Sequence, residues 1–522
     1  MEVMIKMNEK QLQDKINGTI WSACDTLRSS IPGGNYKDYA LVMLFVKYLS
    51  DAYKEEKEIA EERYGGDKER VARALSRGKF ILEDECTFDY LYENRNENNI
   101  GEIINKALEK ITTLNGVKLL NLFAGVDFNS EVVFGKPKEK NAILKTLLAD
   151  FNKDEIDLRP SKIGKLDVIG NAYEYLIARF AGDSGKKGGE FYTPAEVSML
   201  LAKLVEPKEN DRIYDPSCGS GSLLLKASKE VNSDKFSVYG QESNSSTYNL
   251  CRMNMFLHGV NDAHIEWGDT LANPLHLEND DLMKFNVIVS NPPFSLDKWA
   301  KGFENANTTI VEDGKKKDTF KMEAALDQYN RFEYGVPPKS IGDYAFIQHM
   351  LKSLADDGRM AVVLPHGTLF RGASEGIIRQ RILENNLIDA VIGLPENLFY
   401  GVSIPATIVV FKKNRERKDV LFIEASREYE KGKNQNTLTK ENIEKIFNTY
   451  KNYEEIEKYS HIATFDEIKE NEFNLNIKRY VDTFEEEEEI DIEETKKSIE
   501  VIQKELQVLE KELQESLKEL GL

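Results

Sequence analysis

The run Val287-Ile-Val-Ser290 is followed at once by Asn291-Pro-Pro-Phe294. Pro292 and Pro293 have no N–H for a sheet ladder and fix their own φ angles. An apolar strand must therefore end at Asn291 in a stiff turn. Open parallel sheets place their chemistry at such carboxyl ends. The turn offers a side-chain amide, backbone carbonyls with no competing N–H, and a flat ring. That set suits a planar substrate carrying an NH2 group. Asn291 and the Pro292 carbonyl can accept from the amine while Phe294 stacks on the ring. Taken alone, the same four residues are an ordinary loop start, so the rest of the chain decides.

Three earlier strand ends carry acids. Asp215-Pro-Ser-Cys-Gly219-Ser220-Gly221-Ser222 lies between a strand and a helix. Its glycines let the backbone pass close to a ligand. It is neither a Gly-x-x-x-x-Gly-Lys-Ser/Thr loop nor a strict dinucleotide fingerprint, and an acid at the strand end suits a cationic group better than a pyrophosphate. The next strand ends in Gly240-Gln-Glu242, where a carboxylate can take two ribose hydroxyls. The third ends in Gly268-Asp269, where a carboxylate can accept from an adenine amino group. Each acid alone is more often a turn or helix cap. Four such ends in order over about 80 residues are harder to attribute to chance.

The elements that position these residues read as α/β. From Asp211, strands at Arg212–Asp215, Phe236–Glu242, His264–Trp267, Phe285–Ser290, Arg359–Leu364, Leu387–Leu394 and Ala406–Lys412 alternate with helices. That pattern implies a mainly parallel, doubly wound sheet. Upstream, residues from about Asn8 to Leu148 read mainly helical, with Ile16, Ile20, Cys24 and Leu27 at helical spacing. Between the two, a Gly/Lys loop leads into Glu190-Phe191-Tyr192-Thr193-Pro194, with Thr193 expected as N-cap and Pro194 as first helical residue. A polar stretch, Lys298–Lys339, follows the Asn-Pro-Pro-Phe turn and reads as a lid or a spacer. Beyond Thr483 comes the acidic run Glu485–Glu489, and then Ile499, Ile502, Leu506, Leu509, Leu513 and Leu520 form a heptad seam interrupted by Ser516. Such a helix wants a partner helix.

The chain has 522 residues, 41% of them apolar, and a net charge of −20. It can bury a large core, and that charge argues against wrapping nucleic acid over its whole surface, though not against a local basic groove or a basic partner. No apolar run reaches membrane-spanning length, and the N-terminus shows no signal-type apolar block. Four scattered cysteines show no metal spacing and fit a reducing cytoplasm.

Together these motifs resemble S-adenosylmethionine-dependent amino-methyltransferases of DNA. Gly189-Glu-Phe-Tyr-Thr-Pro194, the Asp215 loop, Val363-Leu-Pro-His-Gly367 and Gly393-Leu-Pro-Glu-Asn-Leu-Phe-Tyr-Gly401 narrow the likeness to the modification subunit of type I restriction–modification systems. The resemblance implies a Rossmann-like class I methyltransferase domain over 161–482, a helical domain over 1–160 and a coiled-coil tail over 483–522. It implies S-adenosylmethionine as cofactor, closed over by Glu190 to Pro194, passed by Gly219, Ser220, Gly221 and Ser222 beside Asp215, and held by Glu242 at the ribose and Asp269 at the adenine. Asn291, Pro292, Pro293 and Phe294 would hold the target, and asparagine in the first place favours adenine N6. Partners implied are double-stranded DNA with the target base flipped out, a specificity subunit holding two copies of this chain, and a restriction subunit. Competing readings are a protein glutamine methyltransferase, whose acceptor is also a planar NH2 group, and a non-catalytic scaffold for a specificity partner.

Overall fold

The computed structural model describes residues 2–31, 36–163, 168–183, 192–303, 307–312, 315–401, 405–433, 435–483, 502–507, 509, 510, 513 and 517. They fall into two compact units, Met1–Val481 and Asp482–Leu522.

The longer helices of the first unit begin with α1 (Glu2–Ser30), α2 (Tyr36–Tyr64), α3 (Ile100–Asn115), α4 (Pro137–Phe151) and α5 (Val168–Asp183). α6 (Ala195–Val205), α7 (Ser222–Glu230), α8 (Ser245–Leu257), α9 (Asp343–Ser353), α10 (Ala373–Glu384) and α11 (Lys440–Asn452) follow. Ile16, Ile20, Ala23 and Leu27 put one buried stripe on α1, which packs on α4 and α5. α2 is buried nearly all round from Tyr39 to Leu49, so it is the central helix of this bundle. The bundle's core runs on into Leu250, Met253, Phe256 and Leu257 of α8. Side chains of α8 also fasten the two regions: Arg252 donates to the Leu120 and Lys118 carbonyls at 2.6 and 2.8 Å, and Ser246 to Asp38 at 3.0 Å.

The sheet has nine strands: β1 (Arg212–Asp215), β2 (Ser237–Glu242), β3 (His264–Trp267), β4 (Phe285–Ser290), β5 (Leu354–Pro365), β6 (Ile388–Gly393), β7 (Ala406–Lys412), β8 (Val420–Glu424) and β9 (Ser460–Ala463). Their order is β9-β8-β6-β7-β5-β4-β1-β2-β3. β3 through β5 are parallel, and β7 runs antiparallel to both β5 and β6. β4 and β6 are buried on almost every residue, as expected of strands covered on both faces. β8 and β9 extend the sheet beyond the seven strands the pattern indicates.

The stretch after the Asn-Pro-Pro-Phe turn is not a bare spacer. Asn307–Glu312 and Lys315–Phe320 pair as an antiparallel hairpin. The Lys298 N–H donates to the Lys339 carbonyl at 3.0 Å, closing the base of the insertion, and Trp299 Nε1 donates to the Pro338 carbonyl at 2.8 Å. Arg331 and Asp327 form an ion pair at 2.7 Å with each side chain only 1% exposed.

No helix among the described residues is long and apolar enough to cross a membrane. In the second unit Ile502, Leu506, Leu509, Leu513 and Leu517 are exposed. Ile499 and Leu520 of the seam lie outside the described residues.

Candidate active site

The site lies at the carboxyl ends of β1, β2 and β4. β1 delivers Asp215 fully buried. The chain then turns through Gly219 and Gly221, at φ +53° and +82°, and Gly221 caps α7. A Cβ on Gly221 would lie 2.5 Å from Met255 Cε and 2.9 Å from Cys251 Sγ, so only glycine satisfies both the backbone angle and the space. Asp215 Oδ1 accepts from the Ser217 N–H at 2.9 Å and from the Ser290 hydroxyl at 2.8 Å. Asp215 Oδ2 is buried and has no partner. Burial pushes the carboxyl up to about 7 against the pull of these hydrogen bonds, and nearby Glu242 adds to the rise.

Asn291 follows Ser290 at the end of the adjoining strand and lines the same cleft. Its Nδ2 donates to Thr193 Oγ1 at 3.0 Å, which orients the amide and leaves Oδ1 buried without a partner. Tyr192, Thr193, Asp215, Ser217, Cys218, Gly219, Ser220, Ser222, Leu223 and Asn291 line one cleft. Two acceptors, Asp215 Oδ2 and Asn291 Oδ1, are thus orphaned beside a single cavity. Buried acceptors are rarely left unpaired.

Glu242 reaches the same loop from β2. Its Oε2 accepts from the Gly219 N–H at 3.0 Å and its Oε1 from the Asn244 N–H at 2.8 Å. Burial raises its pKa, and these backbone bonds oppose the rise. Asp269 is exposed, and its Oδ1 caps its own turn, accepting from the Leu271 and Ala272 N–H groups at 2.9 and 3.3 Å. Neither acid lines the cleft itself. Phe294 stands edge-on to Phe399, with centroids 6.2 Å apart, and Tyr192 packs near Tyr400 at 6.1 Å. The loop Gly393–Gly401 therefore packs against both the Asn-Pro-Pro-Phe turn and Tyr192.

One local expectation needs correcting. α6 begins at Ala195, so Pro194 is the N-cap and Thr193 is not. The Thr193 hydroxyl meets Asn291 instead, and its carbonyl accepts from the Ser198 hydroxyl at 3.4 Å. Glu190 and Phe191 lie outside the described residues. Sequence reasoning did not single out Ser217, Ser290, Cys218 or Leu223. Ser290 had a signal, since it precedes Asn291 on a strand adjoining β1.

A deeper layer supports the loop after β3. Arg331 donates to the Thr270 and Leu271 carbonyls at 3.2 and 2.8 Å, and Thr270 Oγ1 donates to the Pro216 carbonyl at 2.6 Å. Arg331 Nη1 also lies 3.3 Å from His349 Nδ1. A guanidinium has no acceptor, so Nδ1 accepts and Nε2 carries the proton toward the Tyr214 hydroxyl, 3.1 Å away. Burial, with Arg331 adding to it, holds the His349 pKa well below its usual value and keeps the ring neutral.

The parallel strands, with β7 reversed between β5 and β6 and β9 reversed at the edge, and the glycine loop after β1 define a class I methyltransferase fold. The N-6 DNA methylase family matches residues 164–489, and the HsdM N-terminal domain matches residues 16–151. The type I restriction enzyme MpnII methylase subunit of Mycoplasma pneumoniae is 35% identical over 93% of both chains. The MjaVIII methylase subunit of Methanocaldococcus jannaschii is 34% identical over 93% of this chain and 81% of its own. The crystal structure of a type I restriction–modification methyltransferase subunit from Streptococcus thermophilus superposes with a TM-score of 0.76 at 36% identity, covering 90% of this chain and all of that one. The chain belongs to the N-6 DNA methylase family, among the methylase subunits of type I restriction enzymes.

Proposed function

We propose that this chain is a cytoplasmic enzyme that methylates the N6 amino group of adenine in a specific DNA sequence. S-adenosylmethionine is the donor, and a specificity subunit selects the site. The observation that carries this reading is the pair of orphaned acceptors lining one cleft. The residues fit the cofactor. Asp215 presents a buried acceptor toward a cationic ligand, Gly219 and Gly221 give a backbone cradle with no Cβ in the way, and Glu242 has capacity for further donors, since a carboxylate offers about four lone-pair sites. When bound, that cofactor supplies a methyl group on a sulfonium centre.

The chain's own residues prepare the acceptor. An aryl amine is a poor nucleophile because its lone pair is delocalised into the ring. Asn291 Oδ1, fixed through Nδ2 and Thr193, accepts from the amine and favours a more tetrahedral, more basic nitrogen. The Pro292 carbonyl has no local N–H competing for it. Phe294 offers a face to a base taken out of the stack. Positioning and electrostatics provide the gain. The test is transfer of labelled methyl from S-adenosylmethionine by the chain with its genomic specificity partner. Label at adenine N6 of DNA is expected, and label on protein glutamine alone would overturn the reading.

Asp215 makes binding pH-dependent. Its folded pKa lies above the unfolded value of 3.8, so its contribution to stability is present below that value and lost as pH rises through about 7. A cationic ligand favours the ionised carboxylate. Affinity for S-adenosylmethionine is therefore expected to rise with pH to about 7 and then level off. Calorimetry at pH 6 in two buffers of different ionisation enthalpy should show proton release, and Asp215→Asn should abolish it.

We also propose that the tail docks on the specificity subunit, which holds two copies of this chain and recruits a restriction subunit. An apolar stripe on a lone helix gains little without tertiary packing, and a chain at −20 benefits from a partner that supplies positive surface toward DNA. Deleting residues after Thr483 is expected to spare S-adenosylmethionine binding but lower co-purification with the partner and DNA methylation. Undiminished co-purification would show the docking to be wrong.

A further inference from the structure

Ser295, directly after Phe294, has φ +52°, a left-handed conformation that disfavours a residue with a Cβ. Something must hold it there. Its N–H donates to Asp343 Oδ1 at 2.7 Å, and Asp343 is the fully buried first residue of α9. Asp343 Oδ2 accepts from Arg371 Nη2 at 2.6 Å. Arg371 Nη1 reaches the Ser295 hydroxyl at 3.5 Å, and its Nε lies 3.0 Å from Glu375 Oε2. The end of the turn is thus gripped at its backbone and at its side chain by one ion pair.

This grip gives the glycine of the Val363–Gly367 motif a role. A Cβ on Gly367 would lie 3.0 Å from Arg371 Nε and 3.1 Å from its Cζ. A side chain at residue 367 would crowd the guanidinium where it passes the end of β5 to reach Asp343. Gly342 acts likewise on the other side. A Cβ there would lie 2.9 Å from Trp299 Cβ and 3.3 Å from Leu296, so α9 can begin against the residues that follow the turn. None of Ser295, Asp343 and Arg371 lines the cofactor-side cleft.

We infer that Asp343 and Arg371 are positioning residues that clamp the Asn291–Ser295 turn and so set Phe294 and Asn291 for the flipped base. The inference rests on the methyltransferase reading above. Because the clamp lies outside the cofactor-side cleft, its loss should act on the base and spare the cofactor.

The test uses the full chain with its specificity partner. The DNA is a duplex whose recognition sequence has been found by methylome sequencing of a host expressing both. The target adenine is replaced by 2-aminopurine for fluorescence and retained for rate measurements. Arg371→Ala and Asp343→Ala are expected to keep S-adenosylmethionine affinity within about twofold, diminish the fluorescence rise on complex formation, and slow single-turnover methylation by about 10²-fold, the scale of a small misplacement at a reacting centre. Arg371→Lys, which keeps a cation on Asp343, should recover part of both signals and guards against a variant that fails to fold. Wild-type fluorescence and rate in the folded variants would overturn the clamp, as would an affinity loss for S-adenosylmethionine equal to the rate loss. A wild-type chain that methylates no adenine would instead sink the functional reading itself.

Discussion

Asn291→Ala is expected to slow methyl transfer about 10²–10³-fold, the usual cost of removing one group aimed at a reacting centre. S-adenosylmethionine affinity should change little. Oδ1 is orphaned and Nδ2 is spent on Thr193, so the side chain is oriented before any ligand arrives. Removing it would delete the proposed acceptor for the amine and leave the Thr193 hydroxyl without its amide donor. The fold should survive, because Asn291 is only half-buried and β4 ends at Ser290. Thr193→Ala separates the two roles. It keeps Oδ1 but frees the amide to rotate, so an intermediate rate is expected. Single-turnover assays beside calorimetry read both quantities. A near-normal rate for Asn291→Ala would remove that residue from the chemistry.

What was legible in the sequence follows from where local signals are strong. β1, β4 and β7 keep the bounds read from their apolar runs, because Asp-Pro, Asn-Pro-Pro and charged flanks stop those strands abruptly. The strand-end residues Asp215, Gly219, Ser220, Ser222 and Asn291 do meet at one cleft. Their meeting was readable because the strands of an open parallel sheet present their carboxyl ends along one edge, where ligands bind.

Other features depend on contacts between distant residues. The Thr193 hydroxyl was expected to cap a helix, but Asn291, 98 residues away, takes it instead. Asp269 fits an adenine contact by position, yet its Oδ1 already serves the amides of its own turn. Nothing near Arg371 announces that it reaches Asp343 across a glycine, since neither residue has an unusual neighbour in sequence. The Lys298–Lys339 insertion looked like surface because its charges dominate its composition. Its buried residues, among them Trp299, Asp327, Arg331 and Phe332, are few and spread through a polar stretch.

That buried pair carries the largest effect expected on stability. Asp327 accepts from Arg331 Nε at 2.9 Å, from its Nη2 at 2.7 Å and from its backbone N–H at 2.6 Å, and both side chains are 1% exposed. Asp327→Ala would leave a guanidinium buried without its counter-charge, a change that costs about 3–5 kcal/mol. It should show as a lower denaturation midpoint of the full chain. Replacing both partners, as Asp327→Leu with Arg331→Met, removes the unpaired charge and often restores stability elsewhere. Here recovery should be incomplete, because Arg331 also satisfies the Thr270 and Leu271 carbonyls and faces neutral His349. Those buried acceptors would be left bare, at about 1–3 kcal/mol each. A double variant that melts like the wild type would show that the guanidinium serves only its own carboxylate. A double variant that recovers part of the stability would instead mark Arg331 as the strut that joins the insertion to the loop carrying Asp269.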